Sequence, residues 1–126
     1  MARGDNPETV ERVRAICLSI PNTVEKVAHA EPTWRVGGRM FASLSDHHHD
    51  DRVGVWLNAP EGAQAMLIDT DPGRFFRPPY VGPSGWVGVW LDVPDVDWEE
   101  LKMLVDQAAA VTIEQGEAVK LRRRKR

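Results

Sequence analysis

TWRVGGRMFASL, residues 33–44, is the stretch on which the fold turns. Two short runs rich in β-branched and aromatic residues flank Gly37-Gly38, and such a pair is a hairpin signal because tight β-turns need backbone conformations that glycine adopts freely. Working outward, the period stays at two. Segments near 26–30, 33–36, 39–45 and 52–57 alternate between short breakers, and the polar loop from Ser45 to Asp51 joins the last pair. GWVGVWL, residues 85–91, returns to the same pattern.

Helical signals surround these strands. Asn6 as N-cap, Pro7 at the first helical position and Glu8 at the positive end of the dipole open one helix, with Val10, Val13, Cys17 and Ile20 as its apolar stripe. Pro60 starts a second helix whose Ala63, Met66 and Leu67 are expected inside, and the Asp69-Thr70-Asp71-Pro72-Gly73 cluster stops it. A third follows Asp97 as N-cap, with Glu100 three residues on as an acidic variant of the capping box and Leu101, Leu104, Val105 and Ala108 on its apolar side. RFFRPPYVGPSG, residues 74–85, is too rich in proline and glycine to be a central strand throughout. This order predicts an α+β fold: an antiparallel sheet with helices packed on one face.

The chain has 126 residues, 42% of them hydrophobic and 28% charged, which suits one domain with a core that needs no disulfide or structural metal. We expect that domain over residues 1–115, and beyond the break at Gly116 a basic, disordered tail over 116–126. Cys17, the single cysteine, reads as a small buried hydrophobe on the first helix, a reactive thiol needing an exposed, electropositive setting instead. No run approaches the roughly 20 apolar residues that span a bilayer, and the amino terminus has no apolar signal segment, so the expectation is a cytoplasmic protein without membrane contact. The net charge of −3 is unevenly spread: residues 1–119 hold ten basic residues against all 19 acidic ones, a net of −9, whereas Lys120, Arg122, Arg123, Arg124, Lys125 and Arg126 make the end basic. Phosphate contacts dominate nucleic-acid affinity, and only that tail supplies a positive footprint.

Strand parity points to a candidate binding surface. Val53, Val55 and Leu57, and likewise Val87, Val89 and Leu91, make one aliphatic face for the helices, which leaves Gly54, Trp56, Trp86, Gly88 and Trp90 on the other. Adding Arg39, Phe41 and Arg35 from the hairpin gives a surface of aromatic rings and arginines. Glycine beside tryptophan exposes flat ring faces suited to stacking; alternatively RFFRPPYVGPSG folds across and buries the indoles as a second small core, with a groove left between loop and sheet.

TWRVGGRMFASL, then NAPEGAQAMLIDTDPGRFFRPPYVGPSGWVGVWLD, then VDWEELKMLVDQA together resemble the MmcQ/YjbR family, from about Ala15 to Ala110. Gly37-Gly38-Arg39-Met40-Phe41 corresponds to that family's glycine, glycine, basic, aromatic strand start, Pro60 to the opening of its middle helix, and Pro79-Tyr80 to the segment before its tryptophan strand. The resemblance implies a small domain similar to the frataxin-like arrangement, often described as a DNA-binding "double wing" without an established activity. The chain departs from the pattern at Asn58, where related chains often carry lysine, at Trp90, where a basic residue is common, and around Ala109-Ala110, where a tyrosine is often found.

Other clusters read as structural. Asp46-His47-His48-His49-Asp50-Asp51 offers imidazole and carboxylate ligands for zinc, nickel or copper, but on an extended segment only two imidazoles share a side, so it reads as a solvated loop. Asp92, Asp95, Asp97, Glu99 and Glu100 invite comparison with the acidic ridge of frataxin, yet complementarity to a helix dipole accounts for them. His29 beside Glu31 is a conceivable acid–base pair, the more ordinary reading being a structural histidine. Nucleophile elbows, HExxH and phosphate-binding loops are missing from the sequence. The expectation is a monomer without catalysis, metal or cofactor. Its partners are DNA through the basic tail and aromatic face, or else a small planar ligand or peptide in a groove formed by Trp56, Trp86, Trp90 and Arg35, or another protein at the aromatic patch.

Overall fold

The computed structural model describes residues 7–46 and 52–125. Along the chain come α1 (Pro7–Leu18), β1 (Val24–Ala28), β2 (Glu31–Val36), β3 (Arg39–Asp46), β4 (Val53–Leu57), α2 (Ala63–Thr70), β5 (Phe75–Phe76), β6 (Val87–Trp90) and α3 (Trp98–Arg124). The strands form one antiparallel sheet in the order β1-β2-β3-β4-β6-β5. The β2–β3 connection is the expected glycine turn, with Gly37 and Gly38 at φ 60° and 79°.

The helices cover one face. Val13 and Cys17 of α1 and Leu101, Val105, Ala108 and Ala109 of α3 pack against Trp34, Leu44, Val55, Leu57, Val87 and Val89 in a single core. The aliphatic parity of β4 and β6 is thus the helix-facing side, as the alternation requires. α3 starts where its capping residue places it, the Asp97 Oδ1 accepting from the Glu100 N–H at 2.9 Å. Burial pushes the Cys17 thiol up to about 12, in keeping with a packing role. A half-buried polar contact fastens α1 to the sheet: the Trp34 indole N–H donates to Glu25 at 2.8 Å, and the Arg14 Nε donates to the same carboxylate at 2.9 Å.

Two expectations are corrected. The expected disordered tail over 116–126 is helical as far as Arg124: α3 runs unbroken through Gly116, and Arg126 lies outside the described residues. Glycine inside a helix costs about 1 kcal/mol, which the strong helix formers on both sides and Arg122–Arg124 at the negative end of the dipole offset. Gly116 is also where Arg39 crosses the helix, since a Cβ there would lie 3.2 Å from the Arg39 Cδ. Met66 does not face inward but is 62% exposed on α2. As expected, the proline-rich segment is not a central strand throughout: it contributes the two residues of β5, at the sheet edge where proline interferes least. Asn6 and the His47–Asp51 stretch lie outside the described residues.

Candidate ligand groove on the open sheet face

The face away from the helices is divided in two by what fills its glycines. Strand pairing sets Lys26, Thr33, Ser43, Trp56, Gly88 and Phe76 in one row across the whole sheet. At the β5 end the Phe76 ring lies over Gly88 and Gly54, where a Cβ would come within 2.1 Å and 3.2 Å of it. That ring stacks on Trp90 at 3.8 Å between centroids, with planes 20° apart. The Arg52 guanidinium sits 3.8 Å from a Trp90 ring centroid and is held there by Asp92, Nε to Oδ2 at 2.8 Å and Nη2 to Oδ1 at 2.7 Å. Arg52 in turn holds the Asp92 carboxyl below its usual range.

Beyond Trp56 the row continues through Ser43 to a buried Thr33, whose Oγ1 donates to the Lys26 carbonyl at 2.8 Å. A groove of about 440 Å³ opens there, with Thr33, Ser43, Ser45, Arg35, Met40 and Trp56 along the sheet. Ala28, His29 and Glu31 bound it at the β1–β2 turn, and Tyr80 and Val81 bound it across the opening. Tyr80, 77% exposed and at φ 64°, stands at the rim. The loop that carries it is fixed from behind by Gln64 of α2, whose Nε2 donates to the Gly82 carbonyl at 2.9 Å and to the Trp86 carbonyl. Trp56 keeps 9% of its surface exposed, the part that meets the groove. The volume lies within the range of small-ligand sites, about 300–1,000 Å³, and the mixture of apolar wall with few polar groups is their usual chemistry.

Of the residues expected on an aromatic face, Arg35 and Trp56 line this groove and four others do not. Phe41 and Arg39 are on the helix side, a correction with a definite cause. A β-bulge sits where Trp34 pairs with Ala42 but Arg35 with Met40, so Phe41 is an extra residue and the parity of β3 inverts there. Phe41 is fully buried in the core, and Arg39, although exposed, lies against Gly116 of α3. Trp86 precedes β6 and is buried at 8% exposure apart from the groove walls, and Trp90 is taken up by Phe76 and Arg52. Among the described residues no group of three or more His, Cys, Asp or Glu side chains could hold a metal ion, and no helix is long and apolar enough to cross a membrane.

The YjbR family model matches residues 18–108, most of the chain. The chain belongs to the YjbR family. Among solved structures it is similar to the Deinococcus radiodurans protein DR2400, which contains the domain of unknown function DUF419. The identity is 21% over 85% of this chain and 80% of that one, with a TM-score of 0.72, a likeness of fold. Among curated proteins no sequence matches it significantly. All residues lining the groove fall inside the YjbR segment, whereas the basic end of α3 lies outside it. Asn58 is buried and turned toward α3: its Nδ2 donates to the Thr112 Oγ1 at 2.7 Å and to the Gln115 Oε1 at 2.9 Å. The groove walls at Thr33, Ser43, Met40 and Tyr80 escape sequence reasoning, because threonine, serine and methionine on alternating positions carry no signal beyond strand parity.

Proposed function

We propose that this YjbR domain is a non-catalytic binding module that takes a small planar ligand in the groove between β2, β3, β4 and the Tyr80 loop. The observation that carries this reading is the groove itself, a 440 Å³ recess walled by Trp56 on a rigid sheet. A planar ring entering the recess meets the part of the indole that remains exposed, and the Ser43 hydroxyl offers a directional contact. The test is saturation-transfer NMR with a panel of planar aromatic compounds, run on the wild type and on Ser43→Phe, which fills the floor. Signals from the wild type that vanish in the filled variant support the reading. A wild type that transfers to none of them, or a variant that transfers equally, refutes it.

A second reading, nucleic-acid binding, is favoured by the course of α3. Lys120, Arg122, Arg123, Arg124 and Lys125 are all exposed on its last turns, and Arg39 lies against the same helix at Gly116. Basic residues on a preformed helix neutralise phosphates without an ordering cost, and such binding weakens steeply with salt. Removing residues 120–126, Arg126 included, is expected to abolish retention on DNA at low ionic strength. Failure of the intact protein to shift any duplex or single strand under those conditions ends this reading.

A further inference from the structure

Four basic side chains of this fold are paired with carboxylates. Arg14 bonds Glu25, Arg52 bonds Asp92, Arg74 bonds Glu100 and Lys102 bonds Asp106. Arg35 is different. It projects from β2 into the groove, and its Nε is buried without a hydrogen-bond acceptor among the described residues. A guanidinium N–H removed from water and left unpaired is unfavourable, so this arginine calls for an explanation, and with no carboxylate among the described residues bonded to it a half-buried guanidinium lining the groove has its remaining donors to offer an entering anion.

We propose that Arg35 is an anion subsite and that the groove's ligand is a planar organic monocarboxylate, its carboxylate on Arg35 and its ring on Trp56. This rests on the groove reading above. The guanidinium fork matches a carboxylate in two parallel hydrogen bonds, which a point charge does not. Spacing agrees: Arg35 pairs with Met40 one row away from the Thr33–Ser43–Trp56 row, and Trp56 is two strands over. At about 7 Å along the strand and about 5 Å per strand, the two Cα atoms are about 12 Å apart, so two long side chains reaching inward leave room for a bicyclic acid. The charge of the walls sets the class further. Arg35 is the one arginine or lysine among the lining residues, so a single negative charge is matched and the second charge of a phosphate dianion is not.

The test uses three probes of one ring system, naphthoate, naphthamide and naphthyl phosphate, titrated by calorimetry into the wild type and into Arg35→Met. The wild type is expected to bind naphthoate about ten- to a hundredfold tighter than naphthamide, and Arg35→Met to lose that preference while keeping its naphthamide affinity. Naphthyl phosphate is expected to bind no tighter than naphthoate. Equal affinity of the wild type for acid and amide overturns the subsite but leaves the groove reading standing, and it does so without reference to any variant. A tenfold preference for the phosphate overturns the monocarboxylate class. Binding of none of the three by the wild type overturns this proposal and counts against the groove reading as well.

Discussion

Gly88→Ala tests how the open sheet face is divided. An ideal Cβ at residue 88 would lie 2.1 Å from the Phe76 Cζ and 2.3 Å from both Cε atoms, whereas nonbonded carbons rest near 3.5–4.0 Å. The ring must therefore move by more than about 1 Å, and a two-residue strand gives it little room. Phe75, its neighbour, is 3% exposed in the core and paired with Val89, so β5 cannot slide outward without uncovering it. Overpacking of this kind costs about 1–3 kcal/mol, and loss of the stack on Trp90 adds about 0.5–1.5 kcal/mol, giving about 2–4 kcal/mol in all. Against a total stability of about 5–15 kcal/mol this is a large effect. Urea unfolding followed by tryptophan fluorescence and circular dichroism is expected to show it as a lower midpoint at unchanged slope. Phe76→Ala removes the obstacle, so Gly88→Ala in that background is expected to add less than about 0.5 kcal/mol, a coupling of about 2 kcal/mol in the double-mutant cycle. A Gly88→Ala protein within about 0.5 kcal/mol of the wild type, or two additive substitutions, would refute the argument that Phe76 fills the glycine positions.

Three further outcomes follow from the same structure. The Asp92 carboxyl is held by Arg52 below the ordinary aspartate value of about 3.9, so its stabilisation is complete above that pH and is lost as pH falls through the lower native value. Both partners are partly solvated, so Asp92→Asn is expected to be about 0.5–1 kcal/mol less stable than the wild type at pH 7, with the gap closing below about pH 4; a gap that is constant with pH contradicts this. Native Cys17 is expected to resist Ellman's reagent at neutral pH and to react fully in concentrated guanidinium chloride, its thiol being buried and raised to about 12; prompt native labelling would show the site to be open. Asn58→Ala removes the bonds to Thr112 and Gln115 and is expected to cost about 1–2 kcal/mol, with hydrogen exchange faster in α3 beyond Ala109 and unchanged before it; uniform exchange along the helix argues against that anchoring role.

Strand parity and turn chemistry made most of this fold readable in advance. The Gly37-Gly38 turn, the aliphatic side of β4 and β6 and the Asp97 cap all follow from local rules that the structure obeys. Phe41 and Arg39 broke the rule because a β-bulge adds one residue without any compositional mark, and one residue is enough to exchange faces. Trp90 was legible as lying opposite the helices, and its cover by Phe76 is the alternative in which RFFRPPYVGPSG folds across that face; only the two-residue strand that delivers the ring carries no propensity signal. The groove was legible only as a possibility: Arg35 and Trp56 followed from alternation, while Tyr80 reaches the rim through a loop whose path Gln64 fixes from a distant helix. At Gly116 a local penalty yielded to the residues around it and to the seat it gives Arg39.

The unbroken course of α3 has an electrical consequence. Residues 1–119 carry the surplus of acid and the last turns carry the surplus of base, and a helix rather than a slack tether holds these poles apart. From Thr112, the last residue of α3 buried against the body, to Arg124 the axis advances about 18 Å, roughly twice the screening length in physiological salt. The molecule is consequently a permanent dipole with a fixed direction in its own frame. Near any charged surface it experiences a torque as well as a pull, and it arrives oriented.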